Sequence, residues 1–141
     1  MYCYQCEETA KGTGCEVAGV CGKDPTTAAL QDLLVYAAKG VSMYAHRAAE
    51  LGSQDPEIDV FVIEALFTTV TNVDFDPQRL RQWLLQAGAM RDRAKRLYEN
   101  ACRAAGQSPE ALGGPAAWIP SGDLLDLVGQ GVKVGLAARK E

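Results

Sequence analysis

The chain has 141 residues, 48% of them apolar and 23% charged, with a net charge of -4. That is one domain's worth of ordinary globular composition, which excludes wholesale disorder, a collagen repeat and a small disulfide scaffold. No run approaches the roughly 18 apolar residues of a membrane helix, no basic start precedes an apolar core at the N-terminus, and the mild acidity gives no reason to bind nucleic acid.

Residues 1–23 carry four cysteines and four glycines without helical or alternating period, which predicts a loop wrapped around something. Three Asp-Pro pairs then punctuate the chain at Asp24-Pro25, Asp55-Pro56 and Asp76-Pro77. Each reads as a helix start, because the carboxylate caps free N–H groups where proline needs none. Helix one carries Leu30, Leu33, Leu34, Ala37, Val41, Tyr44, Ala45, Ala48 and Leu51 at three- and four-residue steps, and Gly52 closes it. Helix two runs from about Pro56 to Thr71 with Ile58, Phe61, Val62, Ala65, Leu66 and Val70. Helix three starts at Pro77, presents Leu80, Trp83, Leu84, Ala87, Met90, Ala94, Leu97, Tyr98 and Ala101, and ends near Gly106. Residues 106–120 are a Gly/Pro-rich crossing. Ser121 then caps a short helix from Gly122 to about Gly129, and VKVGLAARKE trails off without a partner element. The expected fold is all-α: a Cys-rich iron–sulfur loop (1–23), an antiparallel three-helix bundle (24–106), and a crossing with a short helix (107–141).

Cysteine distribution is the informative feature. The spacing Cys3-x2-Cys6-x8-Cys15-x5-Cys21 gathers four soft thiolates from one short segment. The absence of a leader points to the cytoplasm, where thiols stay reduced and clustered cysteines suggest metal rather than disulfides. Zn²⁺ and an iron–sulfur cluster both accept such a set. The five residues between Cys15 and Cys21 exceed the usual zinc knuckle, which tilts the choice toward the cluster. Amides of Gly12, Thr13, Gly14, Gly19 and Gly22 are candidate donors to the sulfurs.

The segments MYCYQCEETAKGTGC, GVCGKDP, TAALQDLLVYAAKGVSMYAHRAAELG and FVIEALFTTVTNVDFD resemble the N-terminal part of the hybrid-cluster (prismane) proteins, also called hydroxylamine reductases. The likeness runs to KVGLAARKE and so covers essentially the whole chain. In that family the short-spaced motif holds a [4Fe–4S] cluster and a wider-spaced variant a [2Fe–2S] cluster. The resemblance therefore implies that Cys3, Cys6, Cys15 and Cys21 ligate a cubane. It also implies an electron-donor protein and the remaining domains of the parent enzyme as partners, with no nucleic acid and no membrane. The family's catalytic hybrid iron–sulfur–oxygen cluster uses a His, Glu and Cys set beyond the matched region. Outside the four thiols this chain has only Cys102 and His46, so that second cluster is expected only in a full-length parent. The expectation is an N-terminal electron-transfer fragment with no catalytic residue of its own, unable by itself to turn over hydroxylamine. A structural zinc module and an iron–sulfur redox sensor are the alternatives.

Other residues invite blander readings. Cys102 lies beside helix three's apolar stripe and reads as a small hydrophobe. His46 falls opposite the stripe of helix one, as a solvated or domain-facing residue. Helix three holds seven basic against two acidic residues, spread over its polar arc with pairs such as Asp92–Arg96 and Glu99–Arg103, which marks a solvated face. Tyr2 and Tyr4 flank the first cysteine as potential shields, while Trp118 reads as packing. Lys11 and Lys23 fit two roles, steering an anionic donor or offsetting the charge of four thiolates.

Overall fold

A computed structural model describes residues 1–70 and 74–139. Among the described residues, five α-helices follow the N-terminal loop: α1 (Pro25–Glu50), α2 (Pro56–Val70), α3 (Pro77–Ala104), α4 (Leu124–Val134) and the short α5 (Leu136–Arg139). Among the described residues there is no strand, only an isolated bridge between Cys3 and Cys15. No described helix is long and apolar enough to cross a membrane. Thr71, the expected end of helix two, lies outside the described residues, as do Lys140 and Glu141.

All three Asp-Pro pairs start helices. Asp24 accepts a hydrogen bond from the Thr27 N–H at 2.7 Å, Asp76 from Gln78 at 2.9 Å, and Asp55 from Glu57 at 3.1 Å. α1 and α3 end alike. Gly52 and Gly106 take positive φ (84° and 68°), and the next residues, Ser53 and Gln107, return N–H bonds to Ala48 and Cys102 carbonyls. This is the Schellman closure.

α1 is the hub. Its Leu30, Leu33, Leu34 and Val41 are fully buried with Ile58 of α2, Leu80 and Leu84 of α3, and Leu127 of α4. The direction of packing departs from a simple antiparallel bundle. Thr27 and Gln31 at the start of α1 bond the Phe75 and Asp74 carbonyls just before α3, and Tyr44 meets Tyr98 near the far ends. α1 and α3 therefore run in the same direction. α2 returns beside them, with Phe61 against Trp83 and Asp55 and Glu57 gripping Arg93 halfway up α3.

The C-terminal region corrects the expectation of a short helix and a loose tail. α4 begins after Asp123 rather than at Gly122, with Ser121 accepting the Asp123 N–H instead of capping directly, and it continues through Gly129 to Val134. It packs on α1 so closely that a Cβ at Gly131 would collide with the Ala29 carbonyl. A 3-10 turn, Gly114–Ala117, crosses α1 in the same manner, where Gly40 admits the Pro115 carbonyl. Half of the 26 residues of α1 are buried as a result, more than one amphipathic face would give.

Candidate metal centre

The first 23 residues fold back against the start of α1. Cys3 and Cys15 exchange both backbone bonds, N–H to O at 3.0 and 2.8 Å, which fixes the first and third cysteines side by side. The Tyr2 hydroxyl donates to the Thr13 carbonyl at 3.0 Å, and its ring lies where a Cβ on Gly14 (φ 130°) would sit. A side chain at residue 14 would break that turn. Between the paired cysteines, a 3-10 turn at Ala10–Gly12 reverses the chain with Lys11 and Gly12 at positive φ. After Cys15, bonds from Gly19 N–H to the Lys23 carbonyl (2.7 Å) and from Gly22 N–H to the Gly19 carbonyl (2.9 Å) close a tight turn carrying Cys21.

The outcome is that Cys3, Cys6, Cys15 and Cys21 line one small cleft, together with Lys23 and with Val70 from the end of α2. All are free thiols. Cys15 is buried, Cys3 half-buried, and Cys6 and Cys21 exposed, so the cleft has a closed side and an open one. The Ala10 N–H donates to Cys15 Sγ at 3.4 Å. Hydrogen bonds from the Ala10 and Val20 amides hold the Cys15 thiol below its ordinary pKa, with burial opposing and Lys23 assisting. This favours the thiolate that metal ligation needs. The donors differ from those read in the sequence. Gly12, Thr13, Gly19 and Gly22 spend their N–H groups on carbonyls within turns.

Among the described residues, no three His, Cys, Asp or Glu side chains converge on a point that could hold a single ion. Tetrahedral zinc would need its sulfurs about 2.3 Å from one centre. Four thiols lining one cleft are the donor chemistry that iron–sulfur clusters take, each iron accepting one thiolate. The buried Lys23, with Nζ 3.8 Å from Cys3 Sγ, supplies the positive charge that an anionic thiolate group calls for. The donor set thus fits an iron–sulfur cluster.

The other singled-out residues stand elsewhere. Cys102 is buried in the α1–α3 core. His46 is exposed, pairs with Glu50 at 3.5 Å, and lies about 33 Å along α1 from its capped end. Trp118 donates to Gln130 of α4 at 3.2 Å, a packing role. Tyr2 and Tyr4 face each other at 5.5 Å, but neither lines the thiol cleft. Tyr4 instead borders a larger cavity of about 230 Å³ with Asp32, Tyr36 and Arg139. Three basic residues of α3 are tied across the fold: Arg81 to the Gly122 carbonyl, Arg91 to the Ala116 carbonyl and Asp92, Arg93 to Asp55 and Glu57. Asp92 and Glu99 pair with Arg91 and Lys95 rather than with Arg96 and Arg103.

A sequence profile of the Prismane/CO dehydrogenase family matches residues 1–119. The chain belongs to this family. Among its family relatives, a hydroxylamine reductase of Rhodospirillum rubrum is 54% identical over 139 residues, 99% of this chain and 25% of that protein. One from Geobacter sulfurreducens is 54% identical over 138 residues, and one from Geobacter metallireducens 51% over 138, each covering 96% of this chain and 25% of the relative. The chain therefore spans about a quarter of the length of the curated relatives it matches.

Proposed function

We propose that this chain is the N-terminal electron-transfer module of a hydroxylamine reductase-like enzyme, with Cys3, Cys6, Cys15 and Cys21 as ligands of a [4Fe–4S] cluster. The observation that carries the reading is one cleft lined by all four thiols, none in a disulfide, with a buried lysine beside them. When bound, such a cluster supplies one-electron transfer. The chain's own part is to hold four thiolates in register, through the Cys3–Cys15 pairing and the Gly19–Lys23 turn. The closed side at Cys15 limits water, while exposed Cys6 and Cys21 bring the site within reach of an electron-donor protein. Free thiols suit a reducing compartment such as the cytoplasm.

Family membership supports the parent reaction, reduction of hydroxylamine to ammonia or of a related nitrogen oxide, in a longer polypeptide that carries the hybrid cluster. No residue here is assigned as acid or base, and the isolated chain is expected to show no hydroxylamine turnover. α2 supports contact with further domains: Val60, Ile63, Phe67 and Val70 form an exposed apolar face on it.

Anaerobic iron and sulfide analysis with electron paramagnetic resonance tests the assignment. Serine at any one of Cys3, Cys6, Cys15 or Cys21 is expected to remove most of the iron, and Cys102→Ser to retain it. A colourless protein with one zinc per chain, or equal iron loss from Cys102→Ser, would overturn it.

A further inference from the structure

Lys23 is 3% exposed, an unusual burial for a lysine. Its ammonium donates to Gln5 Oε1 at 3.1 Å and to Cys3 Sγ at 3.8 Å. Among the described residues, no carboxylate forms an ion pair with it. A buried ammonium with no carboxylate in ion-pair contact is costly, and an amide oxygen alone does not remove that cost. The cleft that it shares is lined by the four thiols and by Glu8, and of these it is Cys3 Sγ that its ammonium reaches.

The backbone holds Lys23 there by construction. Gly22 at φ 97° turns the chain back after Cys21, the Lys23 carbonyl accepts the Gly19 N–H, and the next residue, Asp24, caps α1. The lysine is thus clamped between a cysteine of the site and the first turn of the main helix. Lys11, in the same loop, is exposed. The two roles open to these lysines therefore separate: Lys11 faces water, and Lys23 faces the sulfurs.

We propose that Lys23 is the fixed countercation of the thiolate site, and that it raises the reduction potential of the group the thiolates hold. The inference rests on the iron–sulfur reading above. Adding one electron adds one negative charge to a site that is already anionic. A cation a few ångströms away, screened from bulk water, stabilises the reduced form more than the oxidised one. The effect is electrostatic, and no bond is made or broken.

The test compares midpoint potentials, from titrations with mediators monitored by electron paramagnetic resonance, on the anaerobically prepared full chain. Lys23→Met is expected to bind iron and sulfide as the wild type does and to titrate at a lower potential. Lys23→Arg, which keeps the charge, and Lys11→Met, which removes an exposed one, are expected to titrate with the wild type. A fully loaded Lys23→Met at the wild-type potential would overturn the proposal. If Lys23→Met takes up no iron, iron content is compared in Lys23→Arg and Lys23→Gln. Retention in the arginine variant alone supports a charge requirement, and equal loss from both overturns it in favour of packing. A wild-type chain without iron and sulfide would sink the electron-transfer reading itself, a result distinct from all of these.

Discussion

The loop 1–23 and the helical body are stabilised by different means. The body buries apolar side chains from four helices in one core, capped at α1 and α3 by aspartate on one side and glycine on the other. The loop buries only Gly14, Cys15 and Lys23, and leaves Val17 and Val20 to water. Hydrophobic burial can therefore specify the body, whereas the loop has only a few backbone bonds and a cluster of thiols around a cation. The lesson is that the body is the scaffold and the loop is a ligand shell, whose order depends on what it holds.

The sharpest way to break that contrast pairs one substitution from each region. Leu34→Ala removes a fully buried side chain from α1 and is expected to cost about 2–5 kcal/mol in urea unfolding. While folded, it should still carry iron. Cys15→Ser should do the opposite, losing most of the iron while helical circular dichroism and the urea midpoint stay near wild type. Equal destabilisation by the two would mean that loop and body fold as one unit.

A smaller effect sits at the seam. Asp24 joins the regions, following Lys23 directly and accepting the Thr27 N–H at 2.7 Å. Asp24→Ala is expected to cost about 1 kcal/mol of helix stability. Because the cap also orients Lys23, iron should be held less tightly against a chelator than in wild type. Unchanged iron retention at the expected stability loss would separate the cap from the site.

Much of this was legible in the sequence because the signals were local. An aspartate before proline caps the next turn regardless of distant context, and the stripes of helices one and three mark the residues that become buried. The cysteine spacing named the four thiols that share the cleft. What stayed hidden depended on tertiary contact. Gly129 and Gly131 argue for ending α4 early, yet Gly131 is where α4 approaches the Ala29 carbonyl, so packing outweighs helix propensity. The parallel course of α1 and α3 follows from contacts that no periodicity encodes. The amide donors to Cys15, Ala10 and Val20, flank it in two different turns, one of which carries Lys11 in left-handed backbone, a conformation lysine rarely adopts. Lys23 fits either of two roles by sequence, steering a donor or offsetting the thiolates, and the turn at Gly22 sends it inward.

The smallest expected effect concerns the far side of α1, where the tail docks. Asp32 is half-buried and accepts the Leu136 N–H at 3.0 Å, tying α1 to the start of α5. Burial raises its carboxyl above the ordinary 3.8, and it does so against the Leu136 hydrogen bond and the charges of Lys23, the N-terminus and Arg139. The native state therefore holds this proton more tightly than the unfolded chain. The stability it contributes is full below the unfolded value and is lost as pH rises through the higher folded value. Asp32→Asn keeps an acceptor for Leu136 but does not titrate. The stability difference, wild type minus variant, should thus decline as pH rises through that window, read from urea midpoints on metal-free protein. A rise instead would mean that Arg139 and the other cations outweigh burial, making the docking of α5 an electrostatic contact rather than a packed one.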